Sequence, residues 1–383
     1  MTRAGQSLIR IGALIGFLSG SAGAEPPSLS PPPVPPSPQS ATQSLTQLPA
    51  AERCFAVDLD GDGHDELLGA QRDQLWALRL DGEGSGALLW RQEGPGHAQQ
   101  LVAGDRGEGR RLFVAWGVGR GLLQAPLTLT GHQPKSGEKS EVLGEWRGTR
   151  RQAAALALVD RGSASELVLA RYRDKYMVEL LPYASGDPQV PRKATLVRRM
   201  LSSLAWGDLD GDGKLDRFEG RVYGNQRGEY GDLWVSWGAG GRLRVPVDRG
   251  VRALIFRKEA NGATLYFADG WVARYGKEAS AQLSRLRMIN GRPQVERLAE
   301  ISNDFTLFSL HSLPLKQAEG FAPLIARGSK AIYRFHPTTA GPWRTEVLAQ
   351  LEPGLDVGVG RDVKGPFLAI PHASSVLIQR WQE

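Results

Sequence analysis

The most constraining feature of this sequence is an acidic loop of nine residues that occurs twice. Residues 58–66 read DLDGDGHDE and residues 208–216 read DLDGDGKLD. Both copies carry acidic residues at positions 1, 3, 5 and 9 and glycines at positions 4 and 6. The glycines allow the backbone to turn tightly, so that the alternating carboxylates converge on one point. Carboxylates held this close repel one another unless a cation neutralises them.

The ligand set that this spacing offers consists of oxygen atoms, which favours Ca²⁺ over zinc or copper. We therefore predict a Ca²⁺ site in each loop, with the residue at position 7 contributing its backbone carbonyl. The predicted metal-site residues are Asp58, Asp60, Asp62, His64 and Glu66 in the first loop, and Asp208, Asp210, Asp212, Lys214 and Asp216 in the second.

One kind of calcium loop with this acid spacing is the EF-hand, which also needs a glutamate at position 12 and a helix on each side. The second copy has Glu219 at position 12, but Gly207, Gly220 and Gly224 flank it where helices would be required. The first copy has Gly69 at position 12. An EF-hand pair is therefore the alternative interpretation of the two loops.

Each loop lies instead between two segments with the character of β-strands. These segments are residues 54–57 and 67–70 around the first loop, and 204–206 and 218–223 around the second. The order strand, acidic loop, strand resembles the FG-GAP or VCBS repeat, the blade unit of the β-propeller in integrin α-subunits and many secreted bacterial proteins. The resemblance implies propeller blades with calcium loops between their first and second strands.

Apolar segments related to the strand before each loop recur about every 50 residues, a period typical of the longer propeller repeats. They centre on Phe55, Leu101, Ala155, Leu204, Leu254, Leu307 and Val357. Each is followed by a second run, and most units end with a run resembling a fourth strand. Seven units of four strands predict an all-β, seven-bladed propeller with calcium loops in blades 1 and 4. An irregular β-sandwich protein carrying two calcium loops is the alternative fold.

The N-terminal part of the chain predicts export. Residues 1–24 have two arginines, a short apolar core and an Ala-Gly-Ala ending, which is typical of a signal peptide cleaved after Ala24. The apolar core is too short for a stable membrane anchor, so we expect a mature chain without a transmembrane segment, located in the periplasm or secreted. Eight of the 24 prolines fall within residues 25–40, and we interpret 25–42 as a disordered linker.

The propeller is then predicted to occupy residues 43–383. The last unit offers three strands before the chain ends, whereas residues 43–49 form an extra strand before the first unit. We therefore predict that 43–49 closes the last blade, because a strand from the other terminus would remove a bare sheet edge.

The sequence contains no recognisable catalytic constellation. Its six histidines are scattered without metal-ligand spacing, and no Gly-x-Ser-x-Gly motif occurs. The formal net charge is +6, and loss of the two signal-peptide arginines would leave +4. This mild excess does not indicate nucleic acid as a partner, and export argues against it. We predict a binding protein, acting as a monomer, and not an enzyme.

Arginine and tyrosine residues are frequent in the segments expected on the face opposite the calcium loops. Arginine binds carboxylates in bidentate fashion, and arginine with tyrosine is common where proteins bind partners. We predict that this face binds an envelope or extracellular protein or an anionic glycan, with a merely solvated rim as the alternative. The predicted ligand-binding residues are Arg150, Arg151, Arg171, Tyr172, Arg173, Tyr176 and Arg199.

The alternative function is a lectin or a polysaccharide lyase-like enzyme on the same fold. Four tryptophans without a structural assignment leave a sugar-stacking role open, namely Trp76, Trp90, Trp271 and Trp343.

Overall fold

The computed structural model shows seven four-stranded antiparallel sheets arranged as the blades of a β-propeller, which confirms the predicted all-β, seven-bladed architecture. It contains no α-helix among the described residues, so no helical segment there is suited to crossing a membrane. The structure describes residues 40–45, 50–81, 86–105, 110–118, 125–147, 152–160, 165–173, 177–183, 195–198, 201–225, 228–247, 250–259, 262–271, 280–302, 304–313, 322–338, 341–352, 356–372 and 375–381. The predicted signal peptide and residues 25–39 of the predicted linker lie outside these ranges.

The strands are numbered in chain order, beginning with β1 (Ser40–Leu45). Blade 1 contains β2 (Arg53–Val57), β3 (Glu66–Gln71), β4 (Gln74–Leu80) and β5 (Gly86–Glu93). Blade 2 contains β6 (His97–Asp105), β7 (Arg110–Gly117), β8 (Leu127–His132) and β9 (Lys139–Trp146). Blade 3 contains β10 (Ala153–Asp160), β11 (Ser165–Tyr172), β12 (Met177–Tyr183) and β13 (Thr195–Arg198).

Blade 4 contains β14 (Leu201–Gly207), β15 (Asp216–Asn225), β16 (Gly228–Ser236) and β17 (Arg242–Val247). Blade 5 contains β18 (Gly250–Glu259), β19 (Gly262–Trp271), β20 (Ser280–Ile289) and β21 (Arg292–Ser302). Blade 6 contains β22 (Leu307–Ser312), β23 (Leu324–Gly328), β24 (Ala331–His336) and β25 (Arg344–Gln350). Blade 7 contains β26 (Gly358–Asp362), β27 (Gly365–His372) and β28 (Ser375–Trp381).

The fourth strand of blade 7 comes from the other end of the chain. β1 pairs antiparallel with β28, and the sheet order is β1-β28-β27-β26. β1 overlaps the predicted closing strand but begins three residues before it, because the pairing extends to Ser40 opposite Trp381. Residues 46–49 of that predicted strand lie outside the described ranges. The strand covers an edge that the last blade would otherwise expose.

The core follows from the alternation of side chains along each strand. Successive residues point to opposite faces of a sheet, so both faces of a blade are apolar only when it packs between two neighbours. Leu67 belongs to a buried cluster with Phe367 of blade 7, whereas the adjacent Leu68 belongs to a cluster with Leu112 of blade 2. Seven such clusters occur, one for each pair of neighbouring blades including blades 7 and 1.

A β-bulge near the beginning of the first strand recurs in blades 2 to 6. A bulge turns the extra residue away from the regular pleat. In blade 2 this residue is Gln99, whose side chain accepts a hydrogen bond from the Ala153 N–H of blade 3. In blade 4 it is Ser202, whose hydroxyl donates to the Val251 carbonyl of blade 5. Bulged polar residues thus join neighbouring blades at the end of the ring where the first strands begin.

Candidate functional site

The two acidic loops occupy equivalent positions, connecting β2 to β3 in blade 1 and β14 to β15 in blade 4. In the second loop Asp208 accepts hydrogen bonds from the Gly211 and Gly213 N–H groups, at 2.7 and 2.9 Å. In the first loop Asp58 accepts the corresponding bonds from Gly61 and Gly63, at 2.6 and 3.2 Å. All four glycines have φ between 78° and 86°, which non-glycine residues rarely adopt. The repeated sequence therefore encodes one backbone conformation.

The carboxylate at position 9 closes each loop. In the second loop, Asp216 accepts hydrogen bonds from the Leu209 and Gly238 N–H groups, at 2.8 and 2.9 Å. In the first loop, Glu66 accepts one from the Leu59 N–H at 2.9 Å. Glu66 and Asp216 are both buried at the start of a strand. The carboxylate at position 9 therefore fixes the backbone of its own loop.

Three acids converge in each loop. Each group has carboxylate oxygens within 4.8 Å of one another, and the groups are Asp58, Asp60 and Glu66 in the first loop and Asp208, Asp210 and Asp216 in the second. Asp62 and Asp212 instead cap the backbone N–H groups of His64 and Lys214, both at 2.8 Å. An all-oxygen set with flexible geometry fits calcium chemically.

The first loop differs from the second because arginines contact its acids. Arg79 of β4 forms an ion pair with Asp60 and bonds Glu66 through both Nε and Nη2, at 3.0 and 2.8 Å. Arg110 of β7, in the next blade, donates from Nε to the Asp58 carbonyl at 2.6 Å, and its Nη2 lies 3.4 Å from Asp58 Oδ2. All three converging acids of this loop therefore have a guanidinium partner.

No described arginine contacts the acids of the second loop, and the strand register shows why. Continuing the β3–β4 pairing by one residue places Arg79 opposite Glu66, whereas the β15–β16 pairing places Trp237 opposite Asp216. Blade 5 follows blade 4 in the chain as blade 2 follows blade 1. When blades 2 and 5 are aligned on the bulges of their first strands, Ala263 occupies the position that corresponds to Arg110. Among the described residues, no lysine, arginine or histidine forms an ion pair with the second loop's acids. The second loop therefore keeps its negative charge concentrated.

The pKa values of the loop acids depend on burial and on the charges beside each carboxyl group. Burial favours the protonated form of Asp60, but the bond and charge of Arg79 outweigh it and hold the pKa of Asp60 below its usual value. Burial raises the pKa of Asp216, and the neighbouring charges of Asp210 and Asp208 raise it further. Burial also raises the pKa of Glu66, although Leu59 and Arg79 oppose the change. A neighbouring guanidinium thus outweighs burial at Asp60 but not at Glu66.

The EF-hand interpretation is excluded by the structure. Strands flank both loops, and Glu219 does not point into the acidic cluster but sits buried in the sheet of blade 4. Its carboxylate forms ion pairs with Arg217, Arg221 and Arg242. Glu219 therefore stabilises the sheet.

The predicted ligand-binding residues are only partly described. Arg150, Arg151, Tyr176 and Arg199 lie outside the described residues. Arg171 forms an ion pair with Glu179, and its guanidinium lies 5.3 Å from the ring centroid of Trp146. The Tyr172 hydroxyl donates to the Leu201 carbonyl at 2.9 Å, while Arg173 is exposed. Two of the three described residues therefore have partners within the protein, and a shared ligand for the whole set stays a prediction.

The structure places a cavity on this same face that sequence reasoning missed. It measures about 400 Å³ and is lined by residues at the starts of β2, β6 and β10, including Arg53, His97 and Gln152. The Gln152 carbonyl accepts a hydrogen bond from the Tyr172 N–H at 3.1 Å, so the cavity adjoins the predicted face. The sequence feature that could have indicated this cavity is the pair Gln99-Gln100 near the start of β6. The residues at the corresponding positions of other blades are mostly apolar or small.

The tryptophans with an open sugar-binding role are mostly buried. Trp76, Trp90 and Trp343 are 1, 7 and 5% exposed and belong to the packing between blades. The Trp90 indole N–H also donates to the Pro134 carbonyl at 2.8 Å. These three rings cannot stack on a sugar in this conformation, and the side chain of Trp271 lies outside the described residues.

A serine and a histidine of β22 in blade 6 also meet an aspartate that precedes β26 of blade 7. His311 Nε2 lies 3.0 Å from Ser309 Oγ, which in turn lies 3.4 Å from Asp356 Oδ1. In hydrolase triads the carboxylate accepts a hydrogen bond from the imidazole, and the other imidazole nitrogen accepts the proton of the serine hydroxyl. Here the carboxylate bonds the hydroxyl, so the group does not have the geometry of such a triad.

Comparison with protein-family models and with curated proteins gave no match for this chain. The features of this chain that bear on its function are therefore the two loops, the cavity and the repeated motif.

Proposed function

We propose that this protein is an exported, calcium-stabilised β-propeller that recognises an extracellular or envelope protein or an anionic glycan. The observation that carries the calcium assignment is the loop at 208–216, where three acids converge without a basic partner among the described residues. The resemblance of both loops to the FG-GAP or VCBS repeat supports the same assignment.

Calcium at the second loop would be held by Asp208, Asp210 and Asp216, with Asp212 and the Lys214 carbonyl available to complete the set. The bound ion would neutralise charges that the fold otherwise leaves in mutual repulsion. Binding to the folded state alone stabilises it by RT ln(1 + [L]/Kd), about 2.7 kcal/mol at a hundredfold excess over Kd. Calcium at the first loop would have to displace Arg79 and Arg110, so we propose weaker binding there.

The recognition role is supported by how the fold presents its loops. A propeller holds the turns of its blades on two rigid faces, and binding residues are commonly carried by such turns. The acidic loops are at one end of the first strands and the cavity is at the other end. Calcium would thus stabilise the scaffold from one face while the opposite face remains available to a ligand.

Thermal unfolding in millimolar calcium and in excess chelator tests this proposal, because extracellular calcium modules often bind at about 10⁻⁴–10⁻³ M. We expect a higher melting temperature in calcium, and no comparable increase with an equal concentration of magnesium. Identical melting curves in calcium and chelator would contradict the calcium assignment. Capture of a defined anionic glycan or envelope protein, lost on heat denaturation, tests the recognition role separately.

A further inference from the structure

The cavity at the starts of β2, β6 and β10 is built by three blades and is held in shape by the bulged residue Gln99. Gln99 Nε2 donates to the Val118 carbonyl at 2.9 Å, and Gln99 Oε1 accepts the Ala153 N–H at 2.7 Å. Arg53 Nη1 donates to the Gln99 carbonyl at 2.5 Å. The side-chain amide of Gln99 therefore connects the segment after β7 in blade 2 to the start of β10 in blade 3, and it fixes the wall against which the other lining groups stand.

Several polar groups around this wall lack partners. In the described part of the chain, no carboxylate lies within ion-pair distance of the Arg53 guanidinium, although blade 7 approaches it at Asp356. The side-chain amides of Gln100 and Gln152 have no hydrogen bond to any described residue. His97 is 7% exposed, and its Nδ1 has no hydrogen-bond partner. A buried polar atom without a partner is unfavourable and calls for a ligand or a water molecule.

The imidazole of His97 completes the chemistry of the cavity. Burial and the charge of Arg53 lower the pKa of His97, although Glu52, whose carboxylate lies 3.9 Å from Nε2, and a backbone contact of the imidazole with Arg72 oppose the change. A neutral imidazole can accept a hydrogen bond from a ligand hydroxyl group. The cavity thus offers one positive charge surrounded by amides and an imidazole that both donate and accept.

We propose that this cavity binds a uronic acid residue of an acidic polysaccharide. The single guanidinium would bind the sugar carboxylate, and Gln100, Gln152 and His97 would bond the ring hydroxyls. The volume of about 400 Å³ lies within the range of small-molecule sites. A phosphate monoester fits less well, because its charge of about −1.5 to −2 would be only partly paired by one arginine. This inference rests on the proposed recognition function and identifies the ligand class and the residues.

Isothermal titration calorimetry of the full chain with oligogalacturonate, and with a neutral glucose oligosaccharide of equal length, tests the inference. We expect binding of the acidic oligosaccharide and at least tenfold weaker binding of the neutral one. Arg53→Gln should weaken oligogalacturonate binding at least tenfold and reduce the preference for the acidic chain. Arg292→Gln is the matched control, because Arg292 is an exposed arginine of blade 5 that does not line the cavity, and it should leave binding unchanged.

Gln152→Ala provides a second variant in case Arg53→Gln disturbs the Gln99 contact, because Gln152 is exposed and only its backbone forms a protein hydrogen bond. It should weaken binding severalfold at an unchanged melting temperature. Absence of oligogalacturonate binding, equal binding of the neutral chain, or wild-type affinity in both variants would overturn the inference. If the same sample retains its calcium-dependent melting shift, the failure concerns the ligand class and leaves the calcium-stabilised scaffold standing.

Discussion

The two acidic loops have almost the same sequence and the same backbone hydrogen bonds, yet their electrostatic environments differ. The loop at 58–66 has Arg79 and Arg110 against its acids, whereas the loop at 208–216 has Trp237 and Ala263 at the corresponding positions. The motif therefore encodes the shape of the loop, and residues outside the motif set its charge. Protein cations and a bound metal are alternative ways to neutralise the same cluster.

The first loop also shows what internal neutralisation requires. Glu66 is buried, and its oxygens bond both the Leu59 N–H and Arg79. A buried carboxylate that loses its partner is strongly destabilising, whereas an exposed one is not. The first loop should therefore depend on its arginines, and the second loop should depend on calcium.

The largest expected effect is the loss of calcium-dependent stability in Asp210→Ala. At calcium a hundredfold above Kd, the wild type should gain about 2.7 kcal/mol over chelator, and this variant should lose most of that gain. The matched variant Asp60→Ala should keep it, because the tighter site lies in the other loop. Thermal or denaturant unfolding with and without calcium measures both differences, and equal losses in the two variants would break the comparison.

Replacing Arg79 with tryptophan, the residue type at the corresponding position beside the second loop, sharpens the comparison. Arg79→Trp should destabilise the protein in chelator by about 1–2 kcal/mol, since Glu66 loses a charged hydrogen-bond partner. The same variant should show a larger calcium response than the wild type, because its first loop now also needs a cation. Arg91→Ala, which removes an exposed arginine of β5 that bonds Gln74, is the control and should change neither quantity.

In chelator, neutralising one acid should have opposite effects in the two loops. Asp60→Asn removes a partner of Arg79 and should destabilise the protein, whereas Asp210→Asn relieves repulsion and should stabilise it. Each change should amount to a few tenths of a kcal/mol up to about 1 kcal/mol, as is usual for solvent-accessible charge pairs. Urea unfolding at low ionic strength measures both, and changes of the same sign would show that the second loop is not repulsive.

The smallest expected effect is in the pH dependence without calcium. The pKa of Asp216 is raised on folding, so its contribution is fully present below the unfolded-state pKa and is lost as pH rises through the folded-state pKa. The pKa of Asp60 is lowered, so its contribution is present above the unfolded-state pKa and is lost as pH falls through the folded-state value.

Urea unfolding in chelator across the acidic range should therefore respond oppositely to substitution of these two acids. Asp216→Asn should make stability rise more steeply with pH, and Asp60→Asn should make it rise less steeply, each relative to the wild type. Parallel profiles for the two variants would contradict the opposite pKa shifts of Asp216 and Asp60.

Most of the fold could be predicted because its determinants are periodic in the sequence. The recurring apolar segments fall in the first strands of six blades, and Val357 immediately precedes β26 in the seventh. The loop positions in blades 1 and 4 also agree with the structure. The start of the closing strand was predicted less accurately. The pairing of Ser40 with Trp381 of β28 is a long-range contact, which local composition does not indicate.

The environments of the sites could not be predicted, since they depend on contacts between strands and between blades. Arg110 reaches Asp58 from the next blade, 52 positions along the chain. The cavity combines residues from the starts of three blades. Arg171 was expected to face a ligand, but its cross-strand neighbour Glu179 already forms an ion pair with it. Residue types alone do not reveal which charges the fold has already paired.

Direct calcium titration of the metal-free protein tests the central claim, that the two loops differ in their need for a cation. Isothermal titration calorimetry of the wild type should show one tighter site, with any second site weaker because calcium must displace two arginines. The tighter site should vanish in Asp210→Ala and persist in Asp60→Ala. Two sites of equal affinity, a tighter site that vanishes in Asp60→Ala instead, or no calcium binding at all would contradict the account.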